Sequence, residues 1–335
     1  MKSRWMVVSL LALAASACST NADTARVATS SELETVKYKR DITKEEYERW
    51  RTEVSNWGRW GKADEIGTLN LITPEKRKQA AGLVRDGFSV SIARSSDSVK
   101  AIDNPNPFER IPTGLGGDRF AVAYHGWAVT HLDSMAHHFD FDGAAYNGYV
   151  PDESVVMKDG HPKNSIHNVK DGIFTRGILI DIPRLKGVPY LEPGTPIYVE
   201  DLEAFEKMAG IKVSACDVLL VRTGVWARRE VKGPWIRGRR GASAGLHVSV
   251  IPWLKDRGVA VLGSDHPIGV NPSEFPQAAH DFTLVGLGVH LIDNADLEAL
   301  AEAAAQRKRW EFLLTAAPLP VRGATGSPIN PIATF

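Results

Sequence analysis

The chain has 335 residues, of which 43% are hydrophobic and 24% are charged, so it is long enough to bury a substantial core and is not a disordered protein. Its 40 basic and 40 acidic residues cancel, which argues against nucleic acid or another polyanion as the partner. The composition therefore favours a globular protein whose partner is a small molecule.

Residues 1–18 predict an export signal. Lys2 and Arg4 precede an apolar run that ends in small residues before Cys18, and this run is short for a transmembrane helix. The ending ASAC resembles a bacterial lipoprotein signal in which Cys18 is acylated, and a plain secretory signal is the alternative. Both readings place the mature chain outside the cytoplasm, either in the cell envelope, touching the membrane only through the lipid, or in the periplasm.

The polar residues 19–40 predict a flexible tether, and residues 41–335 predict one domain. Two helices are predicted at its start. Thr43 and Glu46 form a capping box for the first helix, and the second has Thr73 as its cap, Pro74 at its first position and Gly87 as its stop.

Strands and helices alternate along the rest of the chain. Short β-branched runs predict strands at 88–93, 177–182, 217–224 and 259–265. Helices are predicted at 200–209, 249–257 and 295–309, with Ser249 and Asn294 capping the last two. GLGGD at 114–118 follows no clear strand and opens no clear helix, so it predicts a flexible loop. These elements predict an α/β protein, a single domain of mixed strands with packed helices.

The stretch HLDSMAHHFD, residues 131–140, concentrates histidines and acids. In an extended segment, His131 and Asp133 lie on one face, about 6 to 7 Å apart along the strand, which is close enough to converge on one ion. Imidazole and carboxylate together suit zinc or manganese, and His137 or His138 is then free to carry a proton. A polar turn is the alternative, but so many imidazoles beside apolar residues favour a metal site or a hydrogen-bond network.

The same stretch resembles the signature of the cyclase family of metal-dependent hydrolases, which includes bacterial kynurenine formamidase and isatin hydrolase. HGWAVTHLDSMAHHF is similar to the usual form HxGTHxDxPxHF, and WGKADEIGTLNLITPE, GSDHP and LIDNADLEAL extend the resemblance over roughly residues 55–335. The resemblance implies a swivelling β/β/α fold and a homo-oligomer. It also implies a divalent cofactor, zinc or manganese, and one ion is favoured over two.

The resemblance also implies site residues. His131 and Asp133 match metal ligands, with Asp133 able to bridge two ions, and His137 matches the general acid and base. His280 and Asp293 match a second ligand pair, although Asp293 stands where the formamidases carry Glu.

Trp127 stands where the family signature has its first histidine. The indole nitrogen only donates hydrogen bonds, so it cannot replace an imidazole ligand. His125 lies two residues earlier, on the same face of an extended segment, and is the predicted substitute.

The other candidates carry weaker signals. Asp265 and His266 follow a predicted strand and can orient a ligand or contact the substrate, with a plain turn as the alternative. Trp127 and His138 are further candidates for these supporting roles. His161 and His167 lie in a polar stretch and are expected at the surface. The imidazoles of His247 and His290 are expected to cap a helix or to pack in the core. Cys216 predicts a small buried side chain. RGRRG at 237–241 predicts a solvated loop, with a lid that pairs with a substrate carboxylate as the alternative.

The predicted reaction is hydrolysis of a small carbonyl compound. A bound ion lowers the pKa of its water towards about 7, the hydroxide attacks an amide or lactone carbonyl, and His137 moves the proton. The resemblance implies first an aryl formamidase of the kynurenine formamidase type, which acts in tryptophan breakdown. A hydrolase that opens lactone or isatin-type rings of environmental compounds is the second reading. A catalytically inactive, lipid-anchored binding module, with its signature altered at Trp127, is the hypothesis from another class.

Overall fold

The computed structural model describes residues 38–140, 142–237 and 241–335. The predicted signal with Cys18, and the tether up to residue 37, lie outside the described residues. Packing begins within the range predicted as tether, because Tyr38 Oη donates to the Asp256 carboxylate at 2.7 Å and Arg40 pairs with Glu200 at 2.9 Å. The domain therefore extends to Tyr38 at its amino-terminal side.

A curled mixed sheet forms the centre of the domain, and its strand order within the described residues is β1-β13-β11-β5-β7-β9-β10-β4-β12. β2 pairs with β3, and β6 with β8, outside this sheet. The strands in chain order are β1 Ser89–Ser91, β2 Glu109–Gly114, β3 Gly117–Ala121, β4 His131–Asp133, β5 Ile173–Asp181, β6 Pro196–Ile197, β7 Val218–Arg222, β8 Gly245–Leu246, β9 Val261–Ser264, β10 His290–Asp293, β11 Glu311–Ala316, β12 Gly326–Pro328 and β13 Ile332–Thr334.

Helices pack around the sheet. In chain order they are α1 Lys44–Glu53, α2 Pro74–Ala81, α3 Glu153–Asp159, α4 Ile182–Lys186, α5 Val199–Ala209, α6 Val225–Lys232, α7 Ile251–Arg257, α8 Ala278–His280 and α9 Glu298–Arg307. A π-helical turn, Asp281–Leu287, continues α8. In the part of the chain that the structure describes, no helix combines the length and the apolar character that a membrane span requires.

The central strands β5, β7, β9 and β10 pair in parallel, and their side chains are almost all buried. Parallel strands are covered on both faces, which is why β7 reads as the continuous apolar run VLLV. All four strands predicted from β-branched runs are confirmed, although the sheet uses shorter segments of three of them, and β5 starts at Ile173, before its predicted range. The α/β class is also confirmed.

The first two helices begin where the sequence predicts. Glu46 N donates to Thr43 Oγ1 at 3.2 Å and Thr43 N donates to Glu46 Oε2 at 3.0 Å, so the capping box is formed. Thr73 caps α2 as predicted. The predicted stop at Gly87 is wrong, because α2 already ends at Gly82.

Two other predicted helix caps are wrong, because His247 caps the turn in one case and a distant backbone carbonyl binds the side chain in the other. Ser249 lies in a 3₁₀ turn capped by His247, whose Nδ1 accepts from Ser249 N at 3.2 Å, and α7 starts only at Ile251. Asn294 donates instead to the carbonyl of Gly126 at 2.7 Å. It therefore holds the segment that leads into β4.

The prediction of a loop at 114–118 is also wrong. β2 and β3 form an antiparallel hairpin in which Gly114 faces Gly117, so only the residues between these glycines make the turn. Most of the hairpin's side chains are exposed, so the sequence lacks the alternation of apolar and polar residues that marks a half-buried strand.

His290 in β10 predicts a dependence of stability on pH. Its side chain is fully buried and burial lowers its pKa to about 4, whereas an unfolded histidine titrates near 6.5. The unfolded state therefore binds more protons between these values, and the free energy of unfolding should fall by about 1.4 kcal/mol per pH unit as the pH drops from about 6.5 towards 4. Denaturant titrations across this range give the free energy of unfolding at each pH. Its slope against pH should be smaller in His290→Leu, by the amount that the uptake of one proton contributes. An unchanged slope in His290→Leu would contradict the assignment.

Candidate metal centre

Two adjacent strands bring the first group of candidate ligands together. β4 pairs antiparallel with β10, and in this register Asp293 faces His131. His131 and Asp133 lie on the same face of β4 because side chains alternate along a strand. His131, Asp133 and Asp293 are all buried, and their ligand atoms lie within 4.8 Å of one another. The sheet therefore builds a group of one imidazole and two carboxylates.

The orientation of the His131 ring is fixed by its own segment. Nδ1 donates to the carbonyl of Val129 at 2.8 Å, because a carbonyl oxygen can only accept. Nε2 is therefore the unprotonated nitrogen of the neutral ring, and it lies 3.4 Å from Asp133 Oδ1. A histidine ligand is commonly held in this way, by a hydrogen bond from the nitrogen that does not bind the metal.

A second group shares Asp133 and contains His125 and His137. His125 Nδ1 lies 2.9 Å from Asp133 Oδ1, and His137 Nε2 lies 3.9 Å from Oδ2. The two imidazole rings are stacked, with centroids 3.8 Å apart and planes 4° from parallel. His125 thus reaches the carboxylate that the first group also uses.

Three buried carboxylate oxygens test whether the site suits a cation. Oδ1 and Oδ2 of Asp133 and Oδ1 of Asp293 have no hydrogen-bond partner of normal geometry within the described residues. Burial raises the pKa of Asp133, but the imidazoles of His131, His125 and His137 outweigh burial and lower it, so Asp133 is ionised. Buried carboxylates without donors are costly unless a cation compensates them. These residues therefore fit a divalent ion that accepts nitrogen and oxygen ligands.

The second ligand pair implied by the resemblance lies at the same place. His280 Nε2 is 3.4 Å from Asp293 Oδ2, and both side chains are buried. Burial lowers the pKa of His280, but the Asp293 carboxylate outweighs burial and raises it. His280 ends α8 where the chain enters the π-helical turn, a geometry that often occurs at functional sites.

His138 has a carboxylate partner that the sequence analysis missed. Its Nδ1 donates to Asp281 Oδ1 at 2.7 Å, and its ring lies 5.3 Å from the ring of His280. Asp281 directly follows His280 in the stretch AAHDF, so a carboxylate beside a candidate ligand was the available signal. The pair holds His138 in one orientation.

The candidate residues surround one cavity of about 390 Å³, a size suited to a small molecule. Its lining residues are His125, Gly126, Trp127, His131, Asp133, His137, His138, Pro267, Gln277, His280 and Asp293. Every residue for which the sequence predicts a ligand or proton-transfer role is among them, and Pro267 and Gln277 are additions that the sequence did not indicate.

Asp265 and His266 do not line this cavity. Asp265 is fully buried and accepts hydrogen bonds from the backbone N–H groups of Thr223, Gly224 and Val225, so it holds the turn between β7 and α6. The alternative of a turn role thus describes Asp265, and His266 is buried outside the lining of this cavity.

Two predicted surface positions are wrong. His161 is buried and packs near the ring of Phe139, with centroids 5.9 Å apart. Arg237 is also fully buried, because its guanidinium lies over the indoles of Trp226 and Trp235. Cys216, in contrast, is a small buried side chain as predicted.

The geometry predicts that His125, and not Trp127, contributes to metal binding. Removing a nitrogen that lies 2.9 Å from the shared carboxylate should weaken metal affinity by about 10- to 100-fold in a His125→Ala variant. Competition with a chelator of known affinity measures this change. Trp127→Phe is the matched control and should keep the affinity, because an indole does not coordinate. Loss of affinity in Trp127→Phe together with wild-type affinity in His125→Ala would contradict the assignment.

Comparisons with known proteins identify chains of similar sequence and fold. A family model described as putative cyclase matches residues 88–268. A solved structure described as a novel cyclase is 31% identical, with a TM-score of 0.75, and the match covers 84% of this chain and 99% of that one. Isatin hydrolase A from Ralstonia solanacearum has a TM-score of 0.52 at 19% identity over 76% of this chain and 93% of its own, a likeness of fold.

One curated relative is similar over a shorter stretch. Kynurenine formamidase of Bacillus cereus is 28% identical over 87 residues, which are 26% of this chain. The match spans 38% of the length of that relative.

Proposed function

Because the chain belongs to the cyclase family, we propose that it is a metal-dependent hydrolase of a small amide or lactone. The observation that carries the proposal is the pair of ligand groups that share Asp133, with three buried carboxylate oxygens that have no hydrogen-bond partner of normal geometry within the described residues. The curated relative named kynurenine formamidase and the neighbour named isatin hydrolase support a hydrolytic reaction on a carbonyl carbon.

His131, Asp133 and Asp293 would hold the ion, because this group is buried and three of its carboxylate oxygens have no hydrogen-bond partner of normal geometry within the described residues. Zinc or manganese is the proposed metal, since the donors are imidazole nitrogens and carboxylate oxygens. We propose that this group holds a single ion. His125 and His137 then lie beside the ion, where both contact the shared Asp133 carboxylate. Such an ion, when bound, activates water and polarises a carbonyl oxygen.

The remaining cavity residues would carry the proton transfers. His137 lines the cavity, and burial lowers its pKa to about 4 although Asp133 opposes this, so the ring is neutral and accepts a proton at Nε2. The attacking water gives its proton to this nitrogen, and the imidazolium then protonates the leaving nitrogen or oxygen. The Asp133 carboxylate, 3.9 Å away, stabilises the imidazolium between the two steps.

The substrate is a compact carbonyl compound. The cavity of about 390 Å³ has the indole of Trp127 on its lining, which suits a flat aromatic or cyclic group beside the reacting carbonyl. We propose an aryl formamide as the first substrate, with isatin-type rings and lactones as the next candidates. The export signal predicted in residues 1–18 supports a location in the cell envelope or periplasm.

The experiment is a hydrolysis screen of the purified chain across formyl-anilides, isatin and lactones, each with and without a chelator. We expect turnover of at least one class, its loss with the chelator, and its return with zinc or manganese. Turnover that is equal in the presence of the chelator would contradict metal dependence. Absence of turnover in a metal-loaded chain, for every class, would instead favour the binding module.

A further inference from the structure

Arg237 is a buried cation whose hydrogen bonds are incomplete. Its side chain is 1% exposed, and Nη2 donates to the carbonyl of Trp127. Nε and Nη1 have no hydrogen-bond partner within the described residues. Two charged donors therefore point into the protein without an acceptor, which is costly unless something else accepts from them.

The guanidinium of Arg237 is the centre of a stack of alternating cations and indoles. Its Cζ lies 4.8 Å from the ring centroid of Trp226 and 5.4 Å from that of Trp235. Arg94 covers the Trp226 ring at 4.2 Å, and Arg228 covers the Trp235 ring at 4.5 Å. The indole faces fix the plane of Arg237 and leave only the edge of its guanidinium for hydrogen bonds.

The outer cations of the stack, Arg94 and Arg228, each lie closer to a carboxylate than Arg237 does. Arg228 pairs with Glu192 at 2.9 Å, and Arg94 pairs with Asp296 at 3.5 Å. The nearest carboxylate oxygen to Arg237 belongs to Asp103, at 3.7 Å.

Asp103 is already bound by a different arginine. Arg229 Nε and Nη2 donate to its two oxygens at 2.7 and 3.1 Å, a bidentate pair. Burial lowers the pKa of Arg237 to about 10, so the guanidinium is charged at neutral pH. Within the described residues, the carboxylate nearest to the central cation is therefore shared with Arg229.

A small cavity adjoins Arg237. It is lined by Leu191, Pro193, Thr223, Val225, Trp235, Arg237, Ser243, Ala244 and His266. His266 is fully buried, and neither ring nitrogen has a hydrogen-bond partner of normal geometry within the described residues, although the carbonyl of Ala244 lies near the ring. A neutral imidazole offers one N–H, which the carbonyl of Ala244 can accept, so the donors without an acceptor within the described residues are those of Arg237, and His266 lines the same cavity.

The carboxylate nearest in sequence is not available to this cavity. Asp265 precedes His266, but its oxygens accept from Thr223 Oγ1 and from three backbone N–H groups. The cavity has room for about one water-sized group beside the guanidinium of Arg237. Because the guanidinium is charged and two of its nitrogens lack an acceptor within the described residues, a small anion would complete its hydrogen bonds.

We propose that this cavity binds a small monovalent anion, of the size of chloride, between Arg237 and His266. A water molecule is the neutral occupant of the same size, so the test distinguishes the two. The cavity shares no lining residue with the candidate metal centre, and the two are joined through the Trp127 carbonyl that Arg237 holds. An anion that fixes Arg237 would thus also fix the segment carrying His125.

The direct test uses crystals of the full chain soaked in bromide, which replaces chloride and is identified by its anomalous scattering. We expect an anomalous peak within about 3.5 Å of Arg237 Nε or Nη1. Density for a water molecule alone, with no anomalous peak, would overturn the proposal.

A solution test separates this site from halide binding elsewhere. Replacing gluconate, which is too large for the cavity, by chloride at constant ionic strength should raise Tm saturably by about 2 °C. The rise should be lost in Arg237→Gln and kept in Arg228→Gln, which changes an outer cation of the same stack. The same rise in both variants would overturn the proposal, and if Arg237→Gln does not fold, the bromide crystals of the wild-type chain decide.

Discussion

Replacing Asp133 with asparagine should lower kcat/KM by about 1,000-fold or more for whichever carbonyl substrate the chain hydrolyses. Asp133 is the one residue common to both candidate ligand groups, and it is fully buried among His125, His131 and His137. An amide of the same shape keeps the packing but removes the negative charge that a divalent ion needs. The measurement is kcat/KM together with bound metal per chain.

The stability of the same variant distinguishes a functional carboxylate from a structural one. Neither oxygen of Asp133 has a hydrogen-bond partner of normal geometry within the described residues, and its contacts are with imidazoles at the edge of the cavity, so the metal-free Asp133→Asn variant should lose little stability relative to the metal-free wild type. Asp140→Asn, a change of the same kind in the same segment, is the control and should keep metal and turnover. A large loss of stability in metal-free Asp133→Asn would show that the carboxylate serves the fold.

Replacing His137 with alanine should lower kcat by about 10²- to 10⁴-fold while bound metal is retained. His137 Nε2 is 3.9 Å from Asp133, farther than His125 or His131, and the group of His131, Asp133 and Asp293 is complete without it. His138→Ala is the neighbouring control and should cost less, because Nδ1 of His138 is committed to Asp281.

Two measurements check this assignment. Single-turnover rates report the proton transfers, and metal content per chain reports the ligands. If His138→Ala loses more rate than His137→Ala, the two histidines have exchanged roles. If His137→Ala loses its metal, His137 is a ligand and the group containing His125 is the main ion position.

The central fold was predictable because burial on both faces leaves a strong local signal. β7 and β9 are short apolar runs bounded by turn residues, and the sequence places them correctly. The role of Asn294 was not predictable, because its side chain donates to the carbonyl of Gly126, 168 residues away, and local propensity yields to such a tertiary contact. Ser249 is displaced as a cap by a local contact, since His247, two residues earlier, caps the turn.

The candidate site was predictable to the extent that its residues are neighbours in sequence. His131 and Asp133 share one strand, so alternation alone puts them on one face. The pair of His138 and Asp281 spans 143 residues, and only the folded chain shows that it forms. Arg237 was misplaced for a similar reason, since a run of arginines predicts solvent and the indole of Trp226 is supplied by another element.

Trp127, which stands where the family signature has a histidine, shows that the signature alone does not identify every candidate ligand. A missing histidine in the signature suggests a lost ligand, yet His125 Nδ1 reaches the shared carboxylate at 2.9 Å from two residues upstream. Arg237 donates to the carbonyl of Trp127, and Asn294 donates to that of Gly126. These two side chains hold the backbone that directly follows His125. The position of an imidazole in space, and not its place in the motif, decides whether it can bind an ion.

Metal content of the purified chain tests the central claim most directly. After incubation with zinc or manganese and removal of the unbound ion, the account predicts at least about one equivalent per chain, with Asp133→Asn far below it. Less than about 0.2 equivalents in the wild-type chain, for both metals, would contradict a metal centre at His131, Asp133 and Asp293 and with it the proposed hydrolysis.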